Sequence, residues 1–327
     1  MKRLYVFVLC CLLPCFSCAP APPAPQSATT FCADTVATLT AYDATKEQLQ
    51  SILAVCLRYD AIFSKTMEGS DVWRVNHGGG ERVKVDAALI EALNAAQRVA
   101  ALTNGAFDVT IAPVSALWDF TGGTARLPDA RALAAAVQKV DYTKIRIEGD
   151  TVTLPAGMQI DLGGVAKGYI ADAVAALCRA SGIENAVLDM GGNIAVVGAK
   201  ADGSAWRVGI RDPNDPYGES ALRLEAKRGS VVTSGVYMRG FELDGVRYHH
   251  ILDTKTGYPV QNELASVTVL ADDGALADAL STACMALGLD GGMALLNALS
   301  EAEGVFILRD GTTRCTQGAM AYGVSLQ

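Results

Sequence analysis

The chain has 327 residues, half of them hydrophobic and 19% charged, with a formal net charge of −8. That length and apolar content suffice for a large buried core, as one big domain or two intimately joined lobes. The acidic balance, with no basic stripe carrying interleaved aromatics, argues against nucleic acid as a partner and leaves any anionic ligand dependent on a local lysine, helix end or metal.

The chain begins Met1-Lys2-Arg3, continues through an apolar run from Leu4 to Phe16 and reaches Ser17-Cys18-Ala19. A basic head, an apolar core too short to span a bilayer and a small-residue exit describe a secretory signal over residues 1–18, so the mature protein is expected outside the cytoplasm. Cys18 is the candidate lipid-bearing cysteine, which would hold the protein on the inner membrane. Simple cleavage is the alternative. The proline-rich residues 19–30 then read as a tether and 31–327 as the folded domain. Of the nine cysteines, Cys10, Cys11, Cys15 and Cys18 fall in the signal. The remaining five are irregularly spaced and suggest neither a disulfide framework nor a zinc site.

After the tether, Thr35 to Ala41 reads as a strand and Thr45 to Phe63 as a helix burying Leu49, Ile52, Leu53, Cys56, Leu57 and Tyr59. A polar loop runs from Ser64 to Asp71. Asp86 can cap a second helix whose apolar face is Leu89, Leu93, Ala96, Val99 and Ala100, ending near Gly105. Pro128-Asp129 opens a third helix, and Ile145 to Ile147 with Thr151 to Leu154 reads as a hairpin. Met158, Ile160 and Leu162 alternate with Gln159 and Asp161 as a strand should. Gly163-Gly164 then turns into a helix with Ile170, Ala173, Val174, Leu177 and Cys178 on one stripe and Gly182 at its end.

A glycine turn at a helix N-terminus leaves N–H groups pointing outward and favours negative charge. Asp161 to Gly168 therefore reads either as a phosphate cradle or as a plain tight turn. Its glycine and lysine spacing fits neither the Walker loop nor the dinucleotide fingerprint.

Further on, Ala186 to Asp189 and Ile194 to Val197 are strands about Gly191-Gly192-Asn193, and Trp206 to Ile210 continues the sheet. Asp244-Gly245 is a strong hairpin signal between Phe241-Glu242-Leu243 and Val246-Arg247-Tyr248. Ser266 to Ala271 is a strand and Leu276 to Leu287 a helix closed by Gly288. A short helix and a hairpin about Asp310-Gly311 finish the chain. Hairpins interleaved with helices predict an α+β protein with mixed, largely antiparallel sheets packed with helices.

Two groups of residues carry chemical promise. On the helix before Gly288, Asp278 and Thr282 lie one turn apart, opposite the stripe of Leu276, Leu280, Ala283 and Leu287. That face is either solvated or holds a buried carboxylate that needs a partner. A carboxylate and a hydroxyl at this spacing suit Mg²⁺, which keeps water and ligand phosphate in its other positions. Of the three histidines, His249 and His250 are adjacent. Neighbours in an extended segment point to opposite faces, so at most one enters a given site. His250 is the candidate general base, with a structural role as the alternative.

Taken in order, several segments carry a resemblance: Gly105-Ala106-Phe107-Asp108-Val109-Thr110 with Pro113 and Leu117-Trp118; Asp161 to Gly168; Gly191-Gly192-Asn193; Trp206 to Pro213; Thr233-Ser234-Gly235; Tyr248 to Gly257; and Ala277 to Ala283. Together they are similar to the ApbE family, the FAD:protein FMN transferases, which are often periplasmic lipoproteins. The resemblance implies that Asp278, Thr282 and the Gly164 carbonyl bind the metal, with Ser281 as an additional ligand. It implies that Ala106, Phe107, Asp108, Asp161, Lys167 and Leu252 line the FAD site, and that His250 assists attack by the acceptor hydroxyl. In such enzymes Mg²⁺ bridges the FAD pyrophosphate, a Thr or Ser of a target flavoprotein takes FMN, and AMP leaves. The expected target is a subunit of a membrane redox complex.

Two positions depart from the family pattern. Cys32-Ala33-Asp34 stands where Met-Gly-Thr is common, and Thr66 stands where a tyrosine often faces the flavin. Cys32 and Thr66 thus occupy FAD-site positions with different side chains. Some family members hydrolyse FAD to FMN and AMP, and the Thr66 position is associated with that difference. A metal-dependent FAD pyrophosphatase and a non-catalytic FAD-binding lipoprotein are the alternative functions.

Overall fold

Eight strands follow one another across a single sheet in chain order, each antiparallel to the next: β1 (Gln26–Cys32), β2 (Thr35–Ala41), β3 (Ala186–Met190), β4 (Asn193–Val197), β5 (Gly229–Gly235), β6 (Leu264–Ala271), β7 (Ala302–Leu308) and β8 (Thr313–Cys315). The structure, a computed structural model, describes residues 24–122, 125–215, 218–322 and 325–326. The expected signal and Cys18 lie outside the described residues.

Between β2 and β3 the chain inserts α1 (Lys46–Leu53), α2 (Val55–Phe63), α3 (Asp71–Asn76), α4 (Ala87–Leu102), α5 (Ala112–Ser115), α6 (Ala130–Val137) and α7 (Ala166–Ala180). A small three-stranded sheet lies within that insertion. Between β4 and β5 come the paired strands Trp206–Arg211 and Ser220–Ala226. Between β5 and β6 comes the ribbon Gly240–Leu243 with Val246–His249, whose turn residues Asp244 and Gly245 have φ of 52° and 76°. The helix α8 (Gly274–Asn297) joins β6 to β7, and Gly288 breaks it with φ 73° and ψ −177°.

The sheet is covered on both faces. Leu39, Leu188, Val232 and Val269 pack on the helical side with Leu93, Val174 and Leu280, while Val196, Val231, Leu270 and Val305 pack against Trp206, Ile210 and Leu224. All eight residues of β6 are buried. A strand covered on both sides has no solvated face, and accordingly its polar residues are the small, uncharged Ser266 and Thr268, the latter with Oγ1 2.8 Å from Thr233 Oγ1.

The α+β class and the antiparallel pairing are as expected, and five local expectations need correction. Trp206 to Ile210 does not continue the main sheet but pairs with Ser220–Ala226 in a separate three-stranded sheet. Residues 19–30 are not all tether, because Gln26 to Thr30 already belong to β1 and pair with Thr38 to Ala41 of β2. The helix expected from Thr45 to Phe63 is two, offset at Ala54, where Leu57 N–H reaches back only three residues to Ala54 O. The offset leaves Leu57 63% exposed instead of buried. The polar loop ends in an unexpected short helix, α3, whose N-cap Ser70 Oγ accepts from Trp73 N. Finally, Met158 to Leu162 is extended with the expected alternation of burial but joins no sheet. The Asn76 amide takes the place of a neighbouring strand, accepting from Ile160 N at 2.7 Å and donating to Ile160 O at 2.9 Å. Asp161 N donates to Val109 O at 2.7 Å.

Candidate active site

Insertions from both halves of the chain meet where α7 and α8 touch. The first turn of α7 has no side-chain cap of its own, because its N-cap is Val165. Its need is met from 110 residues away: Gly168 N–H donates to Asp278 Oδ2 at 3.0 Å. The backbones are so close that a Cβ on Gly168 would lie 2.0 Å from Gly274 O, so only glycine fits. Asp278 is 2% exposed and Ser281 fully buried. The face of α8 expected to be either solvated or a buried carboxylate is therefore the latter.

Around Asp278 the groups are oxygen donors. Ser234 Oγ, on β5, is 2.8 Å from Ser281 Oγ and 3.3 Å from Thr282 Oγ1. Gly164 sits directly across, its Cβ position 3.3 Å from Thr282 Oγ1 and 3.0 Å from the Phe107 ring. Lys167 Nζ is 3.9 Å from Asp278 Oδ1 and donates to Gly163 O at 3.3 Å. Among the described residues no cluster of three or more His, Cys, Asp or Glu could hold a metal. One buried carboxylate with neighbouring hydroxyls is instead the donor chemistry of a hard cation such as Mg²⁺, which binds few protein ligands and retains water and phosphate.

Asp161 forms a second pole. Its carboxylate accepts from Lys65 Nζ at 2.5 Å, Gly163 N at 2.9 Å and Ser115 Oγ at 3.4 Å. Burial alone would raise its pKa, but the Lys65 ammonium and these hydrogen bonds outweigh it and hold the carboxyl below its usual range. Lys65 places the Ser64 loop beside Asp161. Thr66, next in that loop, is exposed, its hydroxyl 3.3 Å from Ser64 Oγ.

The wall between these poles comes from Ala106 to Asp108 and from the turn after His250. Thr254 Oγ1 donates to Gly105 O at 2.7 Å and ties the two segments together. Leu252 is buried with Val114 and Trp118, and the Trp118 indole N–H donates to Gly257 O at 2.9 Å. Phe107 is buried while Ala106 is partly open. Asp108 is present in this wall, but both its oxygens are used by the chain: Oδ1 accepts from Thr110 N and Oγ1, Oδ2 from Tyr142 N. Its carboxylate therefore shapes the loop.

The two histidines do point apart. His249 is fully buried and its Nε2 lies 3.0 Å from Val260 O. His250 is exposed, with Nδ1 3.3 Å from Arg239 O. A carbonyl can only accept, so Nδ1 carries the proton and Nε2 presents its lone pair. Desolvation by the surrounding protein, then the charges of Arg239 and Lys167, lower the His250 pKa to about 4 against the one bond that raises it. The ring is thus neutral near pH 7, as a proton acceptor must be.

Cys32 is not brought to the site. Alternate residues of β1 face inward, Ala28 and Cys32 among them, while Phe31 is 65% exposed. The Cys32 thiol points at Cys56 O, 3.5 Å away, and Asp60 Oδ1. What the β1–β2 turn presents is Ala33 and Asp34, both with positive φ, and Asp34 faces Arg239 at 4.0 Å. Sequence reasoning did not single out Lys65 or Ser115, which carry no pattern of their own. Ser234 lay within a motif that suggested no role.

A sequence model of the ApbE family matches residues 33–306. The chain belongs to the ApbE family. Among ApbE-family relatives, the FAD:protein FMN transferase of Treponema pallidum is 35% identical over 83% of this chain and 79% of its own length. That of Klebsiella pneumoniae is 32% identical over 77% and 79%. The ApbE protein of Thermotoga maritima superposes with a TM-score of 0.83 at 32% identity, covering 91% of this chain and 99% of that one. The flavin transferase ApbE of Vibrio cholerae gives 0.84 at 28% identity, covering 92% and 100%.

Proposed function

We propose that this protein is a Mg²⁺-dependent FAD:protein FMN transferase that joins FMN through a phosphoester to a Thr or Ser of a target flavoprotein. The observation that carries this reading is the convergence of Gly164, Asp278, Ser281 and Thr282 beside Lys167, with the neutral His250 held in the field of that lysine. Asp278, Thr282, Ser281 and the Gly164 carbonyl would hold Mg²⁺, which supplies charge stabilisation to a transferring phosphoryl group.

The protein's own groups account for the rest. Lys167 offers a cation to the FAD pyrophosphate, and Asp161, kept ionised by Lys65, offers an acceptor to ligand N–H or O–H groups. His250 Nε2 takes the proton of the acceptor hydroxyl as its oxygen bonds to the FMN phosphorus. The bond from that phosphorus to the bridging oxygen breaks, and AMP leaves with that oxygen and its electron pair. The partners are FAD and a flavoprotein of a membrane redox complex. We further assign the protein to the periplasm, anchored through Cys18 if that cysteine is lipidated.

The test is incubation of the full mature chain with FAD, Mg²⁺ and an acceptor domain bearing the family's target sequence. Fluorescent flavin should stay on the acceptor in a denaturing gel while AMP is released. Release of AMP and free FMN without any labelled acceptor would overturn transfer in favour of FAD hydrolysis, the reading that Thr66 at an exposed loop position favours. Intact FAD would leave the non-catalytic binding protein.

A further inference from the structure

One half-buried carboxylate near this site has no part in the reading above. Asp172 lies one turn beyond Gly168 on α7, and its Oδ2 accepts from Gly274 N at 2.8 Å and Ala275 N at 3.2 Å, the first two amides of α8. The N-cap of α8, Asp273, separately accepts from Leu276 N at 2.8 Å. Asp278 returns the contact by accepting from Gly168 N. Each helix is thus capped by a carboxylate from the other, with Asp172 opposite Gly274 and Gly168 opposite Asp278, four residues apart on both helices. Two such contacts one turn apart define the axial register of antiparallel helices, and glycine at Gly168 and Gly274 lets the backbones meet.

The arrangement is costly for Asp172. Burial, then the nearby Asp273 charge, push its carboxyl up to about 7, against the two amide bonds that lower it. An uncharged cap would serve the helix end alone with less penalty. What Asp172 adds is the location of the α8 first turn relative to α7.

We propose that Asp172 is a positioning residue for the cation site: by pinning Gly274 and Ala275 to α7, it sets where Asp278 and Thr282 stand relative to the Gly164 carbonyl. This rests on the cation reading above. Misplacing ligands by a fraction of an ångström weakens a rigid octahedral site, and removal of such supporting contacts costs on the order of 10- to 100-fold in metal affinity.

The test is Mn²⁺ binding to the full mature chain, followed by electron paramagnetic resonance without FAD, alongside thermal unfolding. Asp172→Ala should lower Mn²⁺ affinity at least ~10-fold. Asp172→Asn, which keeps an acceptor oxygen at the same reach, should restore most of it. Asp273→Ala, which removes the other α8 cap, should lower the Tm but leave Mn²⁺ affinity near the parent value. Unchanged affinity in Asp172→Ala would overturn the proposal, and so would equal losses in Asp172→Ala and Asp273→Ala, which would mark a general effect of helix capping. If Asp172→Ala does not fold, Asp172→Ser takes its place with the same criteria. A parent that binds no Mn²⁺, or an Asp278→Ala variant that binds it unchanged, would overturn the cation site and the proposal together. A site lost in Asp278→Ala but indifferent to Asp172 overturns the proposal alone.

Discussion

The Asp278 carboxylate accepts a hydrogen bond from the Gly168 amide across 110 residues of chain. One side chain therefore satisfies the open end of α7 and supplies the charge at the centre of the candidate metal site. Asp278→Ala should remove both, abolishing Mg²⁺-dependent release of AMP and lowering stability by about 1–3 kcal/mol, since it strands a buried N–H. Asp278→Asn should recover much of the stability and little of the activity. Denaturant unfolding beside the AMP assay separates the two effects.

The close passage at Gly168 makes a sharper prediction. A methyl group there would meet Gly274 O at 2.0 Å, backbone against backbone, whereas one on Gly163 would meet only Asp161 Oδ1 at 3.2 Å. Gly168→Ala should cost about 3 kcal/mol or more, and Gly163→Ala distinctly less. Comparable midpoints in urea for the two variants would show that α7 and α8 can part without penalty.

His250 should act on rate more than on binding. Replacing it by Ala is expected to slow transfer roughly 10²- to 10⁴-fold, the usual share of a positioned base, while FAD affinity changes little. Because its pKa is lowered to about 4, the ring stays unprotonated from pH 8 down to about 5. The rate should then show no acid limb near 6.5 that disappears in His250→Ala.

The neighbouring His249 affects stability with pH. Burial is the leading cause that lowers its pKa to about 4 from an ordinary 6.5. The unfolded chain therefore binds the proton more readily, and between these values stability rises with pH. The contribution of the neutral ring is complete above about 6.5 and is lost as pH falls towards 4, on the order of 3 kcal/mol in all. His249→Gln should flatten that part of the stability curve relative to the parent in denaturant melts at pH 4.5 and 7.5. Parallel curves would remove His249 as the cause.

Lys65 is the group that keeps Asp161 charged. In Lys65→Ala the Asp161 carboxyl should titrate higher. FAD binding, followed by flavin fluorescence, should weaken roughly fivefold, corresponding to about 1 kcal/mol for a partly exposed ion pair. Binding as tight as the parent's would mean that Asp161 does not contact the ligand as a carboxylate.

Local pattern made much of this legible. Asp244-Gly245 announced its hairpin because both positions need positive φ, and the alternation through Met158, Ile160 and Leu162 correctly described which side chains are buried. It did not reveal that an asparagine side chain, not a strand, satisfies Ile160. The same limit explains Cys32, where matching a family position said nothing of the β1 parity that turns the thiol inward.

What the sequence determined by itself was the set of motifs, the α+β class and the spacing of Asp278 and Thr282 on one helical face, since each follows from neighbours within a turn or a strand. Only the tertiary structure decided that this face is buried and that its carboxylate caps α7 while Asp172 caps α8 in return. Those contacts join segments more than a hundred residues apart, and they depend on two glycine backbones touching, for which short-range periodicity carries no signal.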